Sequence, residues 1–146
     1  MTISFRNVDA SPSDPVATWP YEGLVICLER GLVEDWRPVI AELRRSPWGR
    51  TARRVESYLG YAEPSATTRL FALVLERARA DAEADERAEV AERVRAAIAA
   101  SGMTAAAFAD AIGTSPSRLS TYAGGRVVPS AVLLVRMERL AASVDA

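Results

Sequence analysis

Between Ser101 and Ser130 the chain is broken by turn chemistry so regularly that only short helices fit between the breaks. Ser101-Gly102 closes one apolar-faced run, and Thr104 supplies a hydroxyl ahead of the next. Gly113 ends that run, Thr114-Ser115-Pro116 opens another, Gly124-Gly125 stops it, and Pro129-Ser130 launches a last one. A hydroxyl just before a helix accepts one of its unpaired N–H groups, and a proline in the first helical position has its φ preset. Glycine supplies the positive φ with which many helices end. These signals predict helices over 105–112 and 116–123, preceded by a helix that Ser101-Gly102 closes and followed by one that Pro129-Ser130 launches.

Each predicted helix carries one apolar face. Val90, Val94, Ala97 and Ile98 mark the first, and Phe108, Ala109 and Ile112 the second. Leu119 and Tyr122 mark the third, and Leu133, Leu134, Met137 and Leu140 the fourth. Two short helices joined by so few residues must cross steeply, which needs a small residue at the crossing and a positive-φ residue in the turn. Ala109 and Gly113 have those places. One face of the third helix is then left free, formed by Pro116, Ser117, Arg118 and Thr121.

The rest of the chain also reads as helical, so the fold class expected is all-α. Residues 1–15, with Ser11-Pro12-Ser13-Asp14-Pro15, are expected to form a flexible arm. Thr2–Val8 is the sole strand candidate, and its alternation is poor. A helix over Pro20–Arg30 is expected to stop at a left-handed Gly31, and Glu34–Arg45 to follow with Pro38 near its first turn. Ser46-Pro47 reads as the start of a helix Pro47–Leu59 that Gly60 ends. Pro64-Ser65 then begins a pattern favouring one continuous helix from Ser65 to Ala100, in which Glu83/Arg87 and Glu89/Arg93 are spaced for i,i+4 ion pairs. The chain thus divides into an arm (1–15), an N-terminal helical unit for dimerisation or partner binding (16–80), and a C-terminal unit (81–146). Trp19, Trp36 and Trp48 are expected to anchor the N-terminal core.

Composition narrows the function. The chain has 146 residues, 49% of them hydrophobic, and no apolar run approaches the length that spans a bilayer, so no membrane partner and a cytoplasmic location are expected. Cys27, the single cysteine, has no disulfide partner, and an inert buried thiol is the simplest reading. There is no histidine, no phosphate-binding glycine loop and no metal-ligand spacing, so neither catalysis nor a cofactor or metal is expected. All 18 basic residues are arginine, a usage associated with GC-rich bacteria, yet the net charge is −1. Binding to a polyanion would need a local patch. Arg44, Arg45, Arg50, Arg53 and Arg54 form one cluster, read as a solvated helix junction, a second phosphate contact or a docking site for an acidic partner.

Gly102-Met103-Thr104, Phe108-Ala109, Ile112-Gly113-Thr114-Ser115, Ser117, Leu119-Ser120, Gly125 and Pro129-Ser130 together resemble the Cro/repressor-type (XRE) helix-turn-helix family. The resemblance runs without a gap over Gly102–Ser130 and takes in residues 86–142 with the flanking helices. It implies a four- or five-helix lambda-repressor-like domain joined by the long helix to the N-terminal unit. It further implies a bacterial transcriptional regulator that binds double-stranded DNA as a homodimer, with 116–123 as recognition helix in the major groove. Ser115, Pro116, Ser117, Arg118, Thr121 and Arg126 fall at the family's DNA-contacting positions. Ala105, Ala123 and Pro116 depart from the polar residues usual at their places, which implies thin direct readout and a share for DNA shape. Two alternatives stand beside this one: an antitoxin or phage-type repressor whose N-terminal unit binds a partner protein, and an interaction adaptor without DNA binding.

Overall fold

The computed structural model describes residues 3–144. They form seven α-helices and one 3-10 turn, with no strand among the described residues, and the protein is all-α. The segment from Ile3 to Val8 is therefore not a strand, while Thr2 lies outside the described residues. No described helix is long and apolar enough to cross a membrane. The chain divides into two compact units, residues 1–82 and 83–146.

The first unit contains a 3-10 turn (Val16–Thr18), α1 (Tyr21–Arg30), α2 (Val33–Arg45), α3 (Arg50–Tyr61) and the beginning of α4 (Ala66–Ser101). Its core gathers Trp19, Leu24, Cys27, Leu28, Val39, Leu43, Val55, Tyr58, Phe71 and Leu75. Residues 3–15 form no helix, yet Ile3 and Phe5 pack on this core. Phe5 meets Trp19 edge to face with centroids 5.0 Å apart, and the Trp19 indole donates to the Asp14 carbonyl at 2.9 Å. Trp36 is half-buried, edge-on to Phe71 at 5.7 Å, and donates to the Cys27 carbonyl at 2.9 Å. Each indole thus keeps a hydrogen bond while burying ring area. Trp48 does not join them: it is 50% exposed, and the Arg79 guanidinium lies 4.7 Å from its ring centroid.

Several helix ends differ from the sequence expectation. Gly31 is not left-handed: its φ is −71°, and the position suits glycine because a Cβ there would run into the Cys27 carbonyl oxygen. Ser46-Pro47 does not start a helix. Ser46 closes α2, a turn follows in which the Gly49 N–H donates to the Ser46 carbonyl at 3.1 Å, and α3 begins at Arg50. Gly60 lies inside α3, whose last residue is Tyr61. Pro38 falls in the second turn of α2, where its missing N–H leaves unpaired the carbonyl of Glu34, an exposed residue. Asp35 caps α2 with a carboxylate that accepts from the Leu32 N–H at 2.8 Å.

Helix α4 is unbroken from Ala66 to Ser101. Ser65 and Thr68 cap its start reciprocally: the Thr68 N–H donates to Ser65 Oγ at 3.1 Å and the Ser65 N–H to Thr68 Oγ1 at 2.8 Å. The ion pairs expected along it, Glu83/Arg87 and Glu89/Arg93, do not form. Arg77 pairs with Asp81 at 3.2 Å and Arg95 with Glu92 at 2.8 Å, while Arg93 reaches across to Glu138. An exposed pair within one helix is worth only ~0.3–0.5 kcal/mol, so the absence of these two costs little.

The second unit holds the end of α4 with α5 (Ala105–Ile112), α6 (Pro116–Ala123) and α7 (Ala131–Ser143). Val94, Phe108, Ala109, Ile112, Leu119 and Met137 are buried at its centre, with Tyr122, Leu134 and Ala141 around them.

Candidate nucleic-acid interface

The geometry of α6 is set by its two ends. At α5, Thr104 Oγ1 accepts from the Ala107 N–H at 3.1 Å, and the helix closes on Gly113 at φ +80°. The Thr114 N–H donates to the Ala109 carbonyl at 2.9 Å and the Gly113 N–H to Asp110 at 3.2 Å, the paired bonds of a Schellman ending. Only Gly113, Thr114 and Ser115 separate the helices. Ser115 Oγ then accepts from the Arg118 N–H at 3.1 Å, and Pro116 is the first helical residue. The same ending recurs after α6. Gly125, at φ +75°, donates to the Tyr122 carbonyl at 3.2 Å and the Arg126 N–H to Thr121 at 3.1 Å. Gly124, the other glycine of the pair, has φ −81° and is not the turning residue.

Ala109 is fully buried in the core that α5, α6 and α7 share, so a larger side chain there would hold the helices apart. Leu119 and Tyr122 pin α6 inward. Pro116, Ser117, Arg118 and Ser120 are exposed, and Thr121 is part-exposed with its hydroxyl donating to the Arg118 carbonyl at 2.6 Å. The structure thus brings Pro116, Ser117, Arg118 and Thr121 onto one short helix with Ser115 as its N-cap, and ties Arg126 to the end of that helix through its backbone. Ser115 is committed in part to its cap. Among the described residues neither Arg118 nor Arg126 has a carboxylate partner, so both guanidiniums are available to an anion.

Two arginines that the sequence did not single out hold this geometry. Arg136 of α7 donates to the Ile112 carbonyl at 2.9 Å, and Arg95 of α4 to the Ala123 carbonyl at 2.6 Å. Each takes up a carbonyl in the last residue of α5 or α6, where no intrahelical donor exists. Only an excess of arginine hinted at them, since their partners are distant in sequence.

The N-terminal arginine cluster is less free than its sequence suggests. Arg45 is bound by Glu42 through two hydrogen bonds of 2.9 and 2.7 Å, and Arg54 donates to the Trp19 carbonyl at 2.7 Å. Arg44, Arg50 and Arg53 remain exposed. Not every apolar residue of the C-terminal unit is taken into its core. Val127, Val128, Val132 and Val135 are exposed, Val132 by 69%. They fall outside the periodic stripe of α7, so counting that stripe missed them.

Comparison with family models, with curated proteins and with solved structures gives no match for this chain.

Proposed function

We propose that the protein is a bacterial transcriptional regulator of the Cro/repressor (XRE) helix-turn-helix type, which acts by binding double-stranded DNA and not as an enzyme. The observation that carries this reading is the α5–α6 pair. A three-residue Schellman turn fixes the crossing, the inner face of α6 is locked by Leu119 and Tyr122, and the outer face offers Ser117 and an unpaired Arg118. On this reading α6 enters a major groove with Pro116, Ser117 and Thr121 at the base edges, while Arg118 and Arg126 meet phosphate or base. Ser115 contributes through its cap and backbone. Site occupancy then blocks or assists transcription in the cytoplasm.

A homodimer doubles the few contacts that one such helix makes. We assign the dimer contact to the N-terminal unit, where Leu73 of α4 is 63% exposed and Leu32, Val33 and Leu70 are exposed as well. The same surface favours the second reading, a repressor or antitoxin whose N-terminal unit holds a partner protein.

The deciding experiment is an electrophoretic shift on the gene's own upstream DNA with a salt titration. Log affinity is expected to fall with log salt by about 0.9 for each phosphate neutralised. A flat salt dependence, or no binding at low salt, would leave the adaptor reading in its place. Light scattering on the full chain is expected to give a dimer that Leu73→Glu dissociates and Val132→Glu leaves intact.

A further inference from the structure

We propose that a cleft in the N-terminal unit, between the ends of α1 and α3 and the start of α4, binds a small organic cation of the alkylammonium class. The cleft encloses about 580 Å³, within the range of small-molecule sites. Its charged lining is Glu29 and Glu63, and no arginine lines it. Among the described residues neither carboxylate belongs to an ion pair. Two unneutralised carboxylates facing one cavity attract a cation.

The remaining walls suit an organic ion better than a metal. Among the described residues no group of three or more metal-ligating side chains comes together. Tyr61, 64% exposed, offers an aromatic wall beside Leu28. Tyr61 is held in place, edge to face with Tyr58 at 5.6 Å and hydroxyl to hydroxyl with Tyr21. Tyr58 in turn donates to Glu29 Oε1 at 3.2 Å, fixing one carboxylate against the aromatic pair. Burial, and then the bond to Tyr61, pushes the Tyr21 phenol up to about 12, so it stays neutral and does not add a third negative charge. An aromatic ring beside carboxylates is the composition that attracts ammonium groups through the ring quadrupole. At the start of α4 the Ser65 and Thr68 N–H groups are already taken up by the reciprocal cap, and the Glu63 carboxylate precedes them.

The test is calorimetric titration of the full chain, without DNA, by tetramethylammonium chloride, by spermidine and by neutral tert-butanol, at fixed ionic strength. Saturable binding of either cation, with none of tert-butanol, is expected. Tyr61→Leu and Glu63→Gln should each weaken it about threefold or more, while Tyr61→Phe, which keeps the ring, retains it. Circular dichroism of each variant establishes that it is folded. The proposal is overturned by the absence of saturable heat with both cations, by equal binding of tert-butanol, or by folded Tyr61→Leu and Glu63→Gln variants that bind as the wild type does. Since no DNA is present, none of these outcomes bears on the DNA-binding reading.

Discussion

Arg136 on α7 donates from Nη1 to the carbonyl oxygen of Ile112, the last residue of α5, at 2.9 Å. This bond joins the helix that closes the C-terminal unit to the turn that aims α6. Arg136→Ala leaves that carbonyl without its charged donor, and a cost of about 1–2 kcal/mol is expected in urea denaturation. Arg136→Lys should recover part of it, because an ammonium also donates but lacks the planar fork. A variant with the wild-type midpoint would mean that water replaces the guanidinium without loss.

Gly113 and Ala109 test the crossing itself. A Cβ at Gly113 would meet nothing closer than the Arg136 guanidinium at 3.8 Å, so the obstacle to substitution is the φ of +80° and not space. Gly113→Val is therefore expected to cost about 1–3 kcal/mol, and Gly113→Asn, which tolerates the left-handed region, less. Ala109 is fully buried, so Ala109→Leu should overpack the core by about 1–3 kcal/mol. Thermal melting of the three variants checks the order.

If α6 reads DNA, Arg118→Ala should weaken specific binding by about 1–3 kcal/mol when the guanidinium meets a base. When Arg126 meets a phosphate, Arg126→Ala should weaken binding to all sequences alike and reduce the salt slope by about 1. Both residues are exposed, so melting should be unchanged. Fluorescence anisotropy on specific and random duplexes separates the two roles.

Cys27 is fully buried, and its thiol is pushed up to about 12, chiefly by burial and secondarily by the Asp35 carboxylate. A raised value means that the folded state favours the protonated thiol. Its contribution to stability is complete below the unfolded value near 9 and is lost as pH rises from there towards 12. At pH 8 a disulfide reagent should label the native chain roughly a hundredfold or more slowly than the urea-unfolded chain. Equal rates would place the thiol at the surface.

The sequence was most legible where structure is local. Thr104, Ser115 and Ser130 each cap a helix through a side-chain oxygen that accepts an N–H at 3.1 Å, and each lies within three residues of its donor. Gly113 is left-handed because the turn it closes is only three residues long. The N-terminal unit was harder to read because some of its contacts join residues far apart in sequence. Gly23 lies against Phe5, where a Cβ would come within 3.1 Å of the ring. Trp48 reads as a core residue until Arg79, distant in sequence, is found beside its ring. In the candidate interface the exposed side chains of α6 follow from its apolar spacing. The carbonyls held by Arg95 and Arg136 depend on how helices pack, which no spacing encodes.

The middle of α4 has a kinetic consequence. Between Ala78 and Ala91, both buried, none of residues 79–90 is buried, and residues 83–89 are all exposed. That stretch is helical without core contacts of its own, held by its backbone bonds between the two anchored ends of α4. Its amides are expected to exchange with solvent through local fraying, well ahead of those near Phe71 or Val94, which open only when a core does. Arg87 stands in this stretch, so limited trypsinolysis should cut there first and release two fragments, each retaining the residues of one core.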